Sequence, residues 1–218
     1  MLPCFTPFAP ASEAFLRVTE EESVPPLVQG LASWQAADAL AQSDHRNAAR
    51  LIAGWLSTRE SIWWGCLCLA QLSKAALLTP ADRQRLTLAR EWVEGPAEAR
   101  AAKVFNGSQP VSPNPVSLIS MAVGCSGGSL PAGGQTVPGP AALSHRLVAH
   151  TVLQAAALWP GSPDSCLHHF IKIGFSVADQ SAIWKKDAIA SHPGLARPVI
   201  EKPVVKALKN IWEDWSTH

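Results

Sequence analysis

Along most of the chain the apolar positions recur at helical rather than strand spacing. Ser12 fits the N-cap of a short helix reaching Val18, and the acidic run Glu20-Glu21-Glu22 follows it. Pro25-Pro26 restart the chain, after which Leu27, Leu31, Trp34 and Ala37 keep helical register. Ser43 or Asp44 is placed to cap a further helix with the stripe Ala48, Leu51, Ile52 and Trp55. Ser57-Thr58-Arg59-Glu60 has the spacing of a capping box. The serine oxygen accepts from the amide three residues on, and the glutamate reaches back to the serine amide. The residues that follow, SIWWGCLCLAQLSKAALL, are apolar almost all round. A helix with no polar face belongs inside a protein, so this segment is the expected centre of the core.

Thr79-Pro80-Ala81-Asp82 starts another helix: Thr as N-cap, Pro in the first turn, and an acid near the positive end of the dipole. Leu86, Leu88, Trp92 and Val93 are its apolar positions, and Gly95-Pro96 ends it. A short Ala-rich helix is expected to about Phe105, then a loop, NGSQPVSPNP. Val116 to Val123 fits a helix or a strand, because a short apolar run does not discriminate. Gly124 to Pro140 is rich in Gly, Pro and Ser and reads as loop. Between Pro140 and Trp159, Leu143, Leu147, His150, Leu153, Gln154 and Leu158 predict a second buried helix. Ser162-Pro163-Asp164 opens the next, through Cys166, Leu167, Phe170 and Ile173. Pro193, Pro198 and Pro203 break up the remainder, and a last amphipathic helix over 203–216 lines up Val204, Leu208, Ile211 and Trp215.

These patterns predict an all-α protein, a single helical bundle or a short array of helical hairpins. The expected organisation is an N-terminal extension over 1–24, a helical domain over 25–179, and a Pro-interrupted C-terminal extension over 180–218 carrying the amphipathic helix. The 218 residues suffice for one core without disulfides or metal.

Composition removes several functional classes. A charged fraction of 16% excludes a disordered, solvating chain. A formal net charge of +1 argues against a nucleic-acid partner, which calls for a basic excess. No apolar run reaches the length that spans a bilayer, so no integral membrane segment is expected. The N-terminal residues have neither a basic region nor an apolar stretch, so no secretory signal is expected. Five cysteines form an odd set with no framework spacing, which fits free thiols in a reducing cytoplasm. Nine Trp against no Tyr is compatible with a binding module.

Four groups of residues bear on chemistry. Gly124-Cys125-Ser126-Gly127-Gly128 matches the G-x-S-x-G nucleophile elbow, in which the serine sits on a sharp strand-to-helix turn. Val116 to Val123 would have to be the strand, while SLPAGGQTVPGP cannot open the helix, so a glycine helix stop is the rival reading. Asp164 and His168 follow in hydrolase order but lie close together in the chain. Cys166 and His169 share one helix face and suit a tetrahedral zinc site, with His145 and His150 as the remaining candidate ligands, although those two face different ways. Cys66 and Cys68 point to nearly opposite sides of their helix, which prevents a mutual disulfide or a shared metal. They read as small core residues. Trp63 and Trp64 diverge by about 100°, so one ring is expected in the core and the other against an adjacent helix. The tail is the leading interaction candidate, through Leu208, Ile211, Trp212 and Trp215. It is able to dock on its own domain, on a partner, or at a membrane surface, where Glu213 and Asp214 offset its lysines. No phosphate-binding loop, dinucleotide fingerprint or zincin motif occurs, and no cofactor is expected.

The segment RESIWWGCLCLAQ, Arg59 to Gln71, resembles the R-E-x-x-W-W-x-C-L-C core of an uncharacterised all-helical bacterial family of unknown function. Glu91-Trp92-Val93, the run Ser126-Gly127-Gly128-Ser129-Leu130 and the Pro-rich link into an Ala-rich helix fit the same pattern. The resemblance spans roughly Leu27 to Phe175. It carries no activity and no catalytic residue. It implies structural roles for Arg59, Glu60, Trp63, Trp64, Cys66 and Cys68, and an association with type VI secretion gene clusters. The expected function is therefore a cytoplasmic, non-enzymatic accessory or adaptor that binds another protein. The alternatives are a hydrolase using Ser126, a zinc-dependent enzyme using Cys166 and His169, and a homodimer that exchanges the tail helix.

Overall fold

The computed structural model describes residues 10–19, 24–106, 114–132, 135–140 and 142–182. Among these the fold is all-α, with nine α-helices and one small hairpin. In chain order the helices are α1 (Ala11–Leu16), α2 (Ser33–Ser43), α3 (His45–Trp55), α4 (Thr58–Lys74), α5 (Pro80–Glu94), α6 (Glu98–Asn106), α7 (Pro115–Gly124), α8 (Leu143–Ala157) and α9 (Pro163–Ala178). The hairpin pairs β1 (Ser129–Ala132) with β2 (Gln135–Pro138) in antiparallel register from Ser129 opposite Pro138 to Ala132 opposite Gln135.

Most helix starts follow from local chemistry. The Asp44 carboxylate accepts from the Asn47 amide at 3.0 Å and opens α3. Thr79 caps α5 from the Asp82 amide at 3.1 Å, with Pro80 in the first turn. Asn114 caps α7 from the Ser117 amide at 2.8 Å, again with proline next. Ser162 does the same for α9. Each cap satisfies an amide that the helix itself leaves without a partner. At the other end of α5, the Arg100 guanidinium donates to the Gly95 carbonyl at 2.7 Å, where a cation suits the dipole.

α4 lies at the centre. Every residue from Glu60 to Ala70 is buried, and α3, α5, α7, α8 and α9 all contact the helix. Two glycines permit close helix approaches near it. A Cβ on Gly54 would stand 1.9 Å from the Ala14 carbonyl oxygen, so α1 can lie against α3 only if residue 54 has no side chain. A Cβ on Gly174 would stand 2.8 Å from Ile52 Cγ2 and 3.2 Å from Trp64 Nε1, at the junction of α3, α4 and α9.

The structure corrects several expectations. Residues 116–123 are helical, and the deciding signal is the Asn114-Pro115 start that precedes them. Part of the glycine-rich stretch 124–140 pairs as a hairpin, its two strands separated in sequence by Gly133-Gly134, a favoured pair for two-residue hairpins. Leu27 and Leu31 do not belong to the helix of Trp34 and Ala37. Pro26–Val28 form a short 3-10 turn, Gly30 has a φ of 72°, and α2 starts only at Ser33. Ser12 does not cap α1, which begins one residue earlier after Pro10 and ends at Leu16. Ala11, Ala14 and Phe15 of this helix are buried against the rest of the bundle. The amphipathic helix expected over 203–216 lies outside the described residues.

Candidate functional site

The capping box at Ser57 sets the start of α4. Glu60 Oε2 accepts from the Ser57 amide at 3.0 Å and from its hydroxyl at 2.7 Å. Arg59, between them, turns outward to α5. Its Nε donates to the Val93 carbonyl at 2.7 Å and an outer nitrogen to the Glu94 carbonyl at 3.2 Å, satisfying the open carbonyls at that helix end. The two tryptophans part as helical geometry requires. Trp64 Nε1 donates to the Phe170 carbonyl on α9 at 2.8 Å, and Trp63 Nε1 donates to the Ala182 carbonyl beyond it. Both rings are buried and both tie α4 to the α9 end of the chain.

Cys66 and Cys68 are fully buried free thiols. Burial pushes the Cys66 thiol up to about 12 and Cys68 well above its ordinary value. Thiolates are the reactive form, so neither sulfur is a nucleophile in the folded protein.

At the C-terminal end of α4 an open depression of about 300 Å³ is lined by Gln71, Trp159, Ser165, Cys166, His169 and Phe170. It is walled mainly by apolar surface. Leu158, at the α8–α9 turn beside Trp159, is 51% exposed. Burial raises the Cys166 thiol to about 11. Partial burial, then the Lys172 and His168 charges, hold the His169 imidazole below its ordinary value.

The candidate zinc ligands do not converge. Cys166 and His169 line this depression, but His145 is buried against the Leu56 carbonyl at 3.2 Å, and His150 lines a second depression, of about 340 Å³, with Arg50 and Arg146. Among the described residues no group of three or more His, Cys, Asp or Glu side chains is placed to hold a metal. Ser126 follows the end of α7 in a turn closed by its own amide on the Val123 carbonyl, so a helix stands where the nucleophile elbow requires a strand. His168 packs edge to face on His45 of α3, a contact across the fold that no local sequence signal announces. Leu208, Ile211, Trp212 and Trp215 lie outside the described residues. No helix among the described residues is long and apolar enough to cross a membrane.

These features define an all-α bundle built around one enclosed helix, with an apolar depression at one end. The chain belongs to a family of unknown function (DUF6931), matched over residues 36–178. That range runs from within α2 to the end of α9. Comparison with curated proteins and with solved structures finds no match to this chain.

Proposed function

We infer that the protein is a non-enzymatic accessory or adaptor that binds another protein within a bacterial multi-protein assembly, one linked to type VI secretion and working in the cytoplasm. The observation that carries this reading is the depression lined by Gln71, Trp159 and Phe170, together with exposed Leu158, the chain neighbour of Trp159. A half-buried Trp ring such as Trp159 binds by burying area, and exposed Leu158 next to it in the chain adds to the area a partner can cover. The chemistry within reach is quiet by comparison, since the Cys166 thiol is raised to about 11 and stays protonated. The tail positions Leu208, Ile211, Trp212 and Trp215 form a second contact surface in this reading.

The test is a cross-linked pull-down from native extract with three baits: the intact chain, a form ending at Ala196, and Leu158→Asp in the full chain. The expected result is one specific partner that is a component of a secretion apparatus and that is lost or weakened with Leu158→Asp. Loss on truncation as well assigns the tail to the same contact. If no bait retains anything above background, the adaptor reading falls. Labelling of Ser126 by a fluorophosphonate, or stoichiometric zinc lost with Cys166→Ser, would replace it with an enzymatic one.

A further inference from the structure

Arg146, Ala149, His150 and Leu153 stand at i, i+3, i+4 and i+7 along α8, so they share one face of that helix. With Val18, just past α1, and Arg50 on α3, they line the depression of about 340 Å³. Three elements thus bring two guanidinium groups, an imidazole and an apolar wall to one opening. Both arginines are half-buried and His150 is exposed.

Among the described residues no carboxylate lines this depression. Neutral acceptors position the two arginines. Arg50 Nη1 donates to the Asn47 Oδ1 at 3.0 Å, and Arg146 Nε donates to the Arg17 carbonyl at 3.3 Å. Asp44, at the start of α3, directs both its oxygens to Asn47, at 3.0 and 2.8 Å. A third guanidinium, that of Arg17, donates to the Gly54 carbonyl at 3.2 Å, and its charge reaches His145 next to Arg146 in the chain. Like charges gathered at one concave surface focus a positive potential there, and an anion offsets it.

We propose that the depression binds a phosphate monoester carried on an apolar group. Near neutral pH such a phosphate bears close to two negative charges on three oxygens. Arg50 and Arg146 come from different helices, and His150 lies one turn beyond Arg146. Donors spread in this way suit a tetrahedral anion, whereas one guanidinium fork matches a planar carboxylate by itself. Val18, Ala149 and Leu153 give the ester group an apolar wall, and the volume leaves room for a ring beside the phosphate. The site is made from helix faces rather than from a glycine-rich loop, so no phosphate-binding motif marks it in the sequence.

The experiment titrates phenyl phosphate, inorganic phosphate and benzoate into the full-length chain by calorimetry, near neutral pH and at low salt. The expected result is one phenyl phosphate per chain, bound about tenfold more tightly than inorganic phosphate and more weakly as salt is added. Arg50→Gln lowers the affinity for both phosphates about tenfold, and His150→Gln lowers it severalfold. Leu153→Ala weakens phenyl phosphate and leaves inorganic phosphate unchanged. Arg83→Gln, at an exposed position of α5, changes neither. Circular dichroism shows which variants are folded, and exposed His150 supplies one that keeps its helices. Sedimentation with phosphatidic acid vesicles that is lost in Arg50→Gln assigns the monoester to a lipid headgroup, and binding of the soluble ester alone assigns it to a small molecule. Benzoate bound as tightly as phenyl phosphate overturns the proposal. So does a wild-type chain that takes up neither phosphate. If Glu20→Gln, Glu21→Gln and Glu22→Gln together then create binding, the acids that follow Thr19 in the chain are the occupants instead.

Discussion

Trp64 reaches the Phe170 carbonyl because Gly174, one turn further along α9, has no side chain in the way. The carbonyl already faces its own helix, and the indole adds a second donor from α4. A Cβ at position 174 would fall 3.2 Å from the same Nε1, so bond and glycine form one device. Trp64→Phe is expected to cost about 2–3 kcal/mol, from the lost bond and the space left by the smaller ring. Gly174→Ala should cost at least as much by driving the indole away. The two losses should be less than additive, because each variant breaks the same bond. Urea unfolding of both singles and the double variant measures the coupling, and full additivity would sink the idea.

His145 sets a pH dependence. Burial first, then the Arg17 charge, push its imidazole down to about 4, against the pull of the Leu56 carbonyl. The ordinary value is 6.5, so between pH 6.5 and 4 the unfolded chain takes a proton that the folded chain refuses. Stability is therefore whole above pH 6.5, falls as the pH drops through that window, and loses up to about 3 kcal/mol. His145→Gln should remove about 1 kcal/mol of the difference between pH 7.5 and pH 5.5. Denaturant midpoints at the two pH values check this, and an unchanged difference would refute it.

Arg59 closes the C-terminus of α5 through two carbonyls, each reached by a separate nitrogen of a planar fork that the single nitrogen of an ammonium does not reproduce. Arg59→Ala should cost about 2 kcal/mol, and Arg59→Lys should recover less than half of it. Hydrogen exchange at the last turn of α5 should rise in both variants. Full recovery by lysine would reduce the contact to simple charge.

Cys66 and Cys68 should resist alkylation in the folded protein and react only when it opens. Iodoacetamide labelling mapped by mass spectrometry should find both unmodified in native buffer and both modified in denaturant. Rapid native labelling of Cys68 would contradict the packing around α4.

The central helix was legible from two local signals, the Ser57–Glu60 capping box and an apolar run with no polar face. Starts at Asp44, Thr79 and Ser162 were legible for the same reason, since a cap is chemistry between residues three apart. Leu27 and Leu31 keep the period of Trp34 and Ala37 only across Gly30, whose positive φ ends any helix there. Asn114-Pro115 marks the start of α7, but it sits at the end of a run of loop-forming residues that hides the signal. The expectation that Cys166 and His169 face one way holds in the depression they share. What surrounds them was not legible, because Gln71 reaches that place from α4 and Trp159 from the turn after α8. The meeting of His45 with His168 is of the same kind, fixed by how α3 and α9 pack rather than by anything near either residue.

The enclosure of α4 has a consequence for synthesis. Trp64 and the carbonyl it needs are 106 residues apart in the chain. At ribosomal speeds of about 5–20 residues per second, that interval lasts on the order of 5–20 s. Throughout it the nascent chain presents a helix that has no face suited to water. Its sides are covered only as α5, α7, α8 and finally α9 emerge. The same sequence that makes a dry centre in the folded protein is thus an uncovered apolar segment while the chain is being made.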